Sequence, residues 1–300
     1  WGVVYPILSQ AVRGETRSVS KPYYDFFLHT FGLPLLLLMG LGPLVAWRRA
    51  SLRALGKTFI VPAVAALVTG VALLALGFGS SVPGLLAYTF SAFVAAAIVL
   101  EFVRGTQARR AVAGEGWWRA FAMLVARNRR RYGGYIVHAA IVMLAIGIAG
   151  SSAYQTVREQ ALRPGQSMEV AGYTLTYRGL TQTQEANAQA VRATVDVTRG
   201  GSHVTTLHPG KNDYPVEQQT SNEVSIYHDP RNLGDLFTIA DQVPSKPGGP
   251  FYLKVLVKPL VNLIWLAGFI FVGGSVIAMW PDAVEQRRLA AQYEPGAIVA

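Results

Sequence analysis

The sequence predicts a polytopic α-helical membrane protein, with about five transmembrane helices and an inserted extracytoplasmic β-rich domain. Three observations predict it. Apolar residues make up 51% of the chain and charged residues only 15%, and the mean hydropathy is +0.30. Several apolar runs approach the roughly 20 residues that span a bilayer. One long polar segment near the C-terminal end changes the hydrophobic period to two, the period of a strand with one buried face.

The first predicted helix runs from about Leu33 to Trp47, "LPLLLLMGLGPLVAW", extended N-terminally by "FFLHTFG". Gly40, Gly42 and Pro43 interrupt it, so neighbouring helices must satisfy the disturbed backbone. The second covers about Thr58–Phe78, the third Leu85–Val103, the fourth Gly133–Ala149 and the fifth Pro259–Trp280. Small residues recur in all of them, as close packing in lipid requires.

The chain carries a net charge of +10. Nucleic-acid binding would account for that charge, but its placement argues against it, because the cations cluster at the ends of apolar runs. Arg48, Arg49, Arg53 and Lys57 lie between helices one and two, and Arg104, Arg109, Arg110, Arg119, Arg127, Arg129, Arg130 and Arg131 between three and four. The loop "GSSVPG" has none. Positive charge marks the cytoplasmic side. The expected layout is an extracytoplasmic N-terminal segment (1–32), helices one to four with cytoplasmic arginine-rich loops (33–151), an extracytoplasmic β domain (152–258), helix five (259–280) and a cytoplasmic tail (281–300). The chain opens on Trp1 in an apolar stretch, which reads as the continuation of a longer polypeptide. It has no cysteine, which excludes disulfides and thiolate chemistry within it.

In the polar segment, Val191, Ala193, Val195 and Val197 alternate with Arg192, Thr194, Asp196 and Thr198. Gly200-Gly201 then predicts a hairpin turn into "SHVTTLH". "MEVAGYTLTYRG", "NEVSIYHD" and "YLKVLVK" predict further strands of a small barrel or sandwich.

The candidate site residue is His138, in "NRRRYGGYIVHAAIVMLAIGIAGS". Helical spacing sets Gly134, His138, Val142, Ala145 and Ala149 roughly on one face, small above and below the ring. Ionisable groups at membrane depth mark function, and neutral imidazole is the usual axial ligand of haem iron. Two readings stand side by side: a metal ligand, or a histidine bonded to a neighbouring helix or near enough to the surface to reach headgroups. Arg127, Arg129, Arg130 and Arg131 fit topology and anionic headgroups. "GWWRAF" fits an interfacial helix on membrane lipid. His203 and His208 differ by an odd number, which is poor spacing for one metal on a strand, and with His228 they read as surface histidines. His29 sits among aromatic residues that suit an interfacial belt; it is the weaker ligand candidate. No Walker A loop and no G-x-S-x-G is present.

The block "NRRRYGGYIVH", followed by a small-residue helix and "GSSAY", resembles the cytochrome c maturation protein CcmF, the membrane subunit of a bacterial haem lyase. "YPVEQQTSNEVSI" with "DLF" resembles its outer domain, and "KPLVNLIWLAGFIFVGG" its last helix. The resemblance covers the C-terminal half of that family. It implies a bacterial inner-membrane protein that attaches haem to the C-x-x-C-H cysteines of apocytochrome c. It further implies delivery of haem by the chaperone CcmE, presentation of the apocytochrome by CcmH-type subunits, and a resident haem b with His138 as one axial ligand. The family's tryptophan-rich WWD segment is absent here, and Trp117-Trp118 fall on the wrong side to replace it. Ser9 and Gln10 stand where some members carry an outer-face histidine. The partner ligand of haem b belongs upstream, either in the rest of a longer chain or in a separate N-terminal half of CcmF. Two other classes are weighed against this one: a non-enzymatic scaffold of cytochrome c assembly, and a small-molecule or haem permease. A permease usually shows internal repeats and broken helices.

Overall fold

The computed structural model describes residues 2–15, 17, 19–44, 52–185, 187–216, 218–244 and 249–281. They form two units, one of residues up to 146 together with those from 266, the other of residues 147–265.

In the first unit, α1 (Tyr5–Arg13) starts on Pro6 and closes on Gly14 at φ 70°, a left-handed cap that glycine adopts without strain. Helix α2 (Lys21–Phe27) passes through a π-helical turn (Leu28–Gly32) into α3 (Leu33–Leu44). Lys21–Gly42 is long and apolar enough to cross a membrane. This span begins at Lys21, ahead of the "FFLHTFG" extension that the sequence predicts. Pro22 favours helix initiation, and Lys21 Nζ donates to Asp25 one turn on, at 2.5 Å. Four further spans lie in α4 (Leu52–Ala75), α5 (Val82–Ala113), α7 (Arg129–Ala153) and α8 (Asn262–Met279). The five-span architecture read from composition is therefore present among the described residues. Val45–Trp47, Arg48, Arg49 and the tail from Asp282 lie outside the described residues.

Helix α5 outruns its apolar run. Ser81 caps its start by accepting from the Gly84 amide at 3.2 Å, and it continues past Val103 to Gly114, where φ is 64°. Short α6 (Trp117–Arg127) follows, with Ala120 and Leu124 buried. The bundle core joins Phe93, Val94, Ala97 and Ile98 of α5 to Tyr132, Tyr135 and Val142 of α7. α7 and α8 approach at glycines: a Cβ on Gly133 would come within 2.6 Å of the Ala278 amide nitrogen, and one on Gly274 within 3.0 Å of that of Val137. Only small residues allow backbones this close in lipid.

The second unit is a two-sheet sandwich. One sheet runs β1-β10-β9-β8, from β1 (Thr156–Leu162), β8 (Ser225–Asp229), β9 (Gly234–Gln242) and β10 (Phe251–Lys258). The other runs β2-β3-β4-β6-β7, with β5 paired to β4. Its strands are β2 (Ser167–Val170), β3 (Tyr173–Gln184), β4 (Gln189–Arg199), β5 (Ser202–Leu207), β6 (Gly210–Tyr214) and β7 (Gln219–Glu223). The alternating Val195 and Val197 meet Leu236, Leu253 and Val255 in one buried core, and Tyr177 stacks on Phe251 at 4.8 Å between sheets. Gly200 and Gly201, at φ 56° and 81°, make the predicted hairpin turn. "NEVSIYHD" differs from expectation: it breaks at Val224, and β7 and β8 belong to different sheets. The chain must leave one sheet there, so no single strand can hold the segment.

A polar knot ties the two sheets. Tyr173 Oη donates to Asp229 Oδ2 at 2.5 Å, Arg199 Nη1 donates to the same oxygen at 2.5 Å, and the Arg231 amide donates to Oδ1 at 3.1 Å. Asp229 is 2% exposed. Burial pushes its carboxyl up, but the bonds from Tyr173, Arg231 and Arg199 outweigh that and hold it below the usual carboxylate range. Burial, then the bond to Asp229, push the Tyr173 phenol well above its ordinary value.

Candidate functional site

His138 lies on α7, in the helix that supplies Tyr132, Tyr135 and Val142 to the bundle core. The ring is half-buried, and its Nδ1 is fully buried with no hydrogen-bond partner. Among the described residues the Ser91 hydroxyl is the other such atom. Leaving a buried polar group unpaired costs about 1–3 kcal/mol, so native chains seldom do it without a compensating partner. One turn before His138, Gly134 opens space: nothing lies within 4 Å of where its Cβ would be. One turn after, Val142 is buried, and Ala145 packs against the core. An imidazole that no neighbouring helix holds by hydrogen bonding at Nδ1, beside a gap on a small-residue face, leaves Nε2 as the donor that haem iron could take. The fit to a haem is therefore good on the ligand side. Among the described residues no group of three or more His, Asp or Glu could hold a metal ion, so a non-haem multidentate site has no support there.

The first turns of α7 carry a polar cluster that the sequence reading missed. Glu101 of α5 is 9% exposed. Its Oε2 accepts from Arg131 Nη2 at 2.6 Å and from Tyr135 Oη at 3.3 Å. Arg131 Nε also donates to Tyr135 Oη at 3.1 Å, and Phe102 packs on Tyr132 and Tyr135. The sequence groups Arg131 with the topology and headgroup arginines; in the structure it pairs with a buried carboxylate. A charge in a spanning helix is costly unless paired. The available signal was the lone glutamate of "AIVLEFVRG", which had no purpose in an otherwise apolar run. Arg109 is likewise pinned, donating from Nε and Nη2 to both oxygens of Glu115 at 2.9 and 3.0 Å. That hydrogen-bonded pair holds the Glu115 carboxyl below its ordinary range.

His29 falls on the π-helical turn and is exposed. Near it in sequence, the Tyr23 ring is tilted against Phe27 at 4.8 Å and Phe27 stacks on Phe31 at 5.6 Å between ring centres. π-turns frequently mark functional positions, but here nothing described brings His29 to His138. In the sandwich, His203 Nε2 meets Thr206 Oγ1 at 3.2 Å, and His208 lies just beyond β5. His228 differs from both: its Nδ1 lies 2.8 Å from Asp235 Oδ1 across the β8–β9 pair. The sequence did not announce that partnership, which depends on strand register.

Comparison with known proteins gives one consistent match. Residues 153–259 match the family model described as the CcmF C-terminal beta-sandwich. Over 280 residues the chain is 28% identical to the cytochrome c-type biogenesis protein CcmF of Pseudomonas aeruginosa, covering 93% of this chain and 40% of that protein. Over 301 residues it is 23% identical to CcmF of Escherichia coli K12, covering 99% of this chain and 43% of that one. A solved structure named Cytochrome c Heme Lyase CcmF matches with a TM-score of 0.66 at 27% identity, over 93% of this chain and 42% of that chain. The chain thus spans about two fifths of the length of the relatives it matches. In sequence and fold it corresponds to the C-terminal part of CcmF.

Proposed function

From this correspondence we propose that the chain is the C-terminal part of a cytochrome c haem lyase of the bacterial inner membrane. In this reading the arginine-rich ends of α5, α6 and α7 face the cytoplasm and the sandwich stands in the periplasm. The whole protein joins haem to the two C-x-x-C-H cysteines of apocytochrome c. Each cysteine S–H adds across a haem vinyl group, sulfur to one carbon and hydrogen to its neighbour, so a thioether forms and no oxidant is consumed. CcmE delivers the haem and CcmH-type subunits present the apocytochrome. The tryptophan-rich half supplies the remaining part of the site.

His138 is assigned as an axial ligand of a b-type haem shared with that other half. The observation that carries this is an imidazole at membrane depth whose Nδ1 has no partner in the bundle, so hydrogen bonding to a neighbouring helix does not account for it, with open space one turn away at Gly134. Nε2 is the nitrogen that would take the iron. Such a haem, when bound, would supply a one-electron reductant for the incoming ferric haem iron. The chain's own residues hold the ligand still. Glu101 and Arg131 fix α7 against α5 near one end, and Gly133 and Gly274 let α8 pack against α7 around it. Haem iron held by two imidazoles is low-spin. In the full-length protein, or in reconstituted halves, His138→Ala should lose haem or turn it high-spin, and added imidazole should partly restore the low-spin spectrum. His138→Gln keeps most of the volume and controls for packing. A folded variant of normal abundance with wild-type haem content and spectrum would remove His138 from the site.

A further inference from the structure

The outer face of the sheet β1-β10-β9-β8 carries an apolar row across all four strands. Val157 pairs with Leu256, Leu256 with Phe237, and Phe237 with Ile226. Alternation sends the strand neighbours Val255, Val257 and Leu236 into the core, so the row points outward. Val157 and Ile226 are exposed, Leu256 and Phe237 half-buried. Strands lie about 4.8 Å apart, so three spacings make a strip about 14 Å wide.

The next row along the sheet is His228, Asp235 and Lys258. The His228 side chain is 70% exposed, whereas that of Asp235 is 6% exposed. Asp235 Oδ1 meets His228 Nδ1 at 2.8 Å and also accepts from Asn262 Nδ2 at 2.9 Å. A buried carboxylate that engages Nδ1 fixes the ring and leaves Nε2 for the solvent side, the second-shell arrangement that orients metal-binding imidazoles. Lys258 Nζ lies 4.9 Å from the Phe237 ring centre, which sets a cation over the apolar strip. Lys254, on the far side of the row, lies 4.0 Å from Glu159.

We propose that this face binds an iron porphyrin. The apolar row takes the flat macrocycle, His228 Nε2 takes the iron, and Lys258 takes a propionate. An apolar strip alone would suit many partners. An oriented imidazole and a cation beside that strip select a planar, apolar, anionic ligand with an open metal position. The choice of haem as ligand rests on the haem-lyase reading above, but no part of the surface involves His138. A periplasmic haem surface on the sandwich would give the incoming haem a holding position separate from the resident one.

The test is titration of ferric protoporphyrin IX into the detergent-purified full chain carrying His138→Ala, followed by absorption. Saturable binding of one equivalent with a high-spin, single-imidazole spectrum is expected. Adding His228→Ala should weaken it at least 10-fold. Ile226→Glu, at an exposed position that leaves the core intact, should do the same with His228 present. His203→Ala, an exposed imidazole on the other sheet whose Nε2 is taken by the Thr206 hydroxyl, should change nothing. Loss of all binding on His138→Ala alone would overturn the surface and leave His138 standing. Binding in the double variant within 2-fold of His138→Ala would overturn it too, as would a face that engages only a partner protein and no porphyrin. Failure of the His138 reading shows separately, as wild-type haem content in the single His138 variant.

Discussion

The helical unit and the sandwich differ in one respect: among the described residues, the buried side-chain polar atoms left without a partner both lie in the helical unit. In the sandwich, Tyr173, Arg199 and Asp229 satisfy one another, and the Arg231 amide completes the carboxylate. In the helical unit, the Ser91 hydroxyl and His138 Nδ1 are buried and unpartnered. The apolar side chains divide the same way. Leu253 and Val255 are wholly buried between the sheets, while Leu67 of α4 is 67% exposed. Water drives the sandwich together, so its core is complete and every interior donor needs a partner. Lipid supplies no such drive, and the helices associate through close contacts such as Gly133 with Ala278. An orphaned nitrogen would stand out in the sandwich; in the helical unit it lies on the residue proposed above as a haem ligand. The site proposed for the sandwich faces outward instead, at His228.

The largest effect that would sharpen this contrast is a matched truncation. Phe251→Ala removes a wholly buried ring stacked on Tyr177 and should cost about 3–5 kcal/mol, read as loss of protease resistance and of the denaturation midpoint of the sandwich. Leu67→Ala removes a side chain that already faces outward and should change stability by no more than about 0.5 kcal/mol. Equal costs would break the comparison.

How legible the molecule was follows from the same contrast. The spans of α4, α5, α7 and α8 were readable because length and apolarity alone define a membrane helix, and the hairpin at Gly200-Gly201 because both residues take positive φ. Helix ends were not readable where polar pairs extend them, as Lys21 with Asp25 does for α2. His138 stood out as an ionisable residue in an apolar run. Its missing partner, the Glu101–Arg131 pair and the His228–Asp235 pair all depend on contacts between elements, which one sequence does not display.

A smaller effect tests the satisfied side. Tyr173→Phe removes one donor from buried Asp229 and should cost about 1–3 kcal/mol. The pH dependence has a defined sign. The folded Asp229 carboxyl is held below its ordinary value, so its contribution is present above about pH 4 and is lost as pH falls through the folded value. Urea midpoints measured from pH 7 down to pH 3 should therefore drop on acidification in the wild type. They should drop less in Asp229→Asn, which has no carboxylate left to protonate there. An unchanged acid limb in that variant would show that other carboxylates carry it.

The smallest effect on stability is the most informative about function. An unpaired buried hydroxyl contributes nothing favourable, so Ser91→Ala should leave the haem-free protein as stable or more stable, by less than about 1 kcal/mol. His138→Leu should behave the same way, because an apolar side chain of similar size needs no partner in that position. The two variants must then part on haem. Ser91→Ala should keep wild-type content, and His138→Leu should lose it while melting no lower without haem. A His138→Leu protein destabilised by more than about 2 kcal/mol in the haem-free state would mean the imidazole holds the bundle together by itself. His138 would then belong with Tyr173 and Asp229 as a structural group, and the division between the two regions would fail at the residue where it matters most.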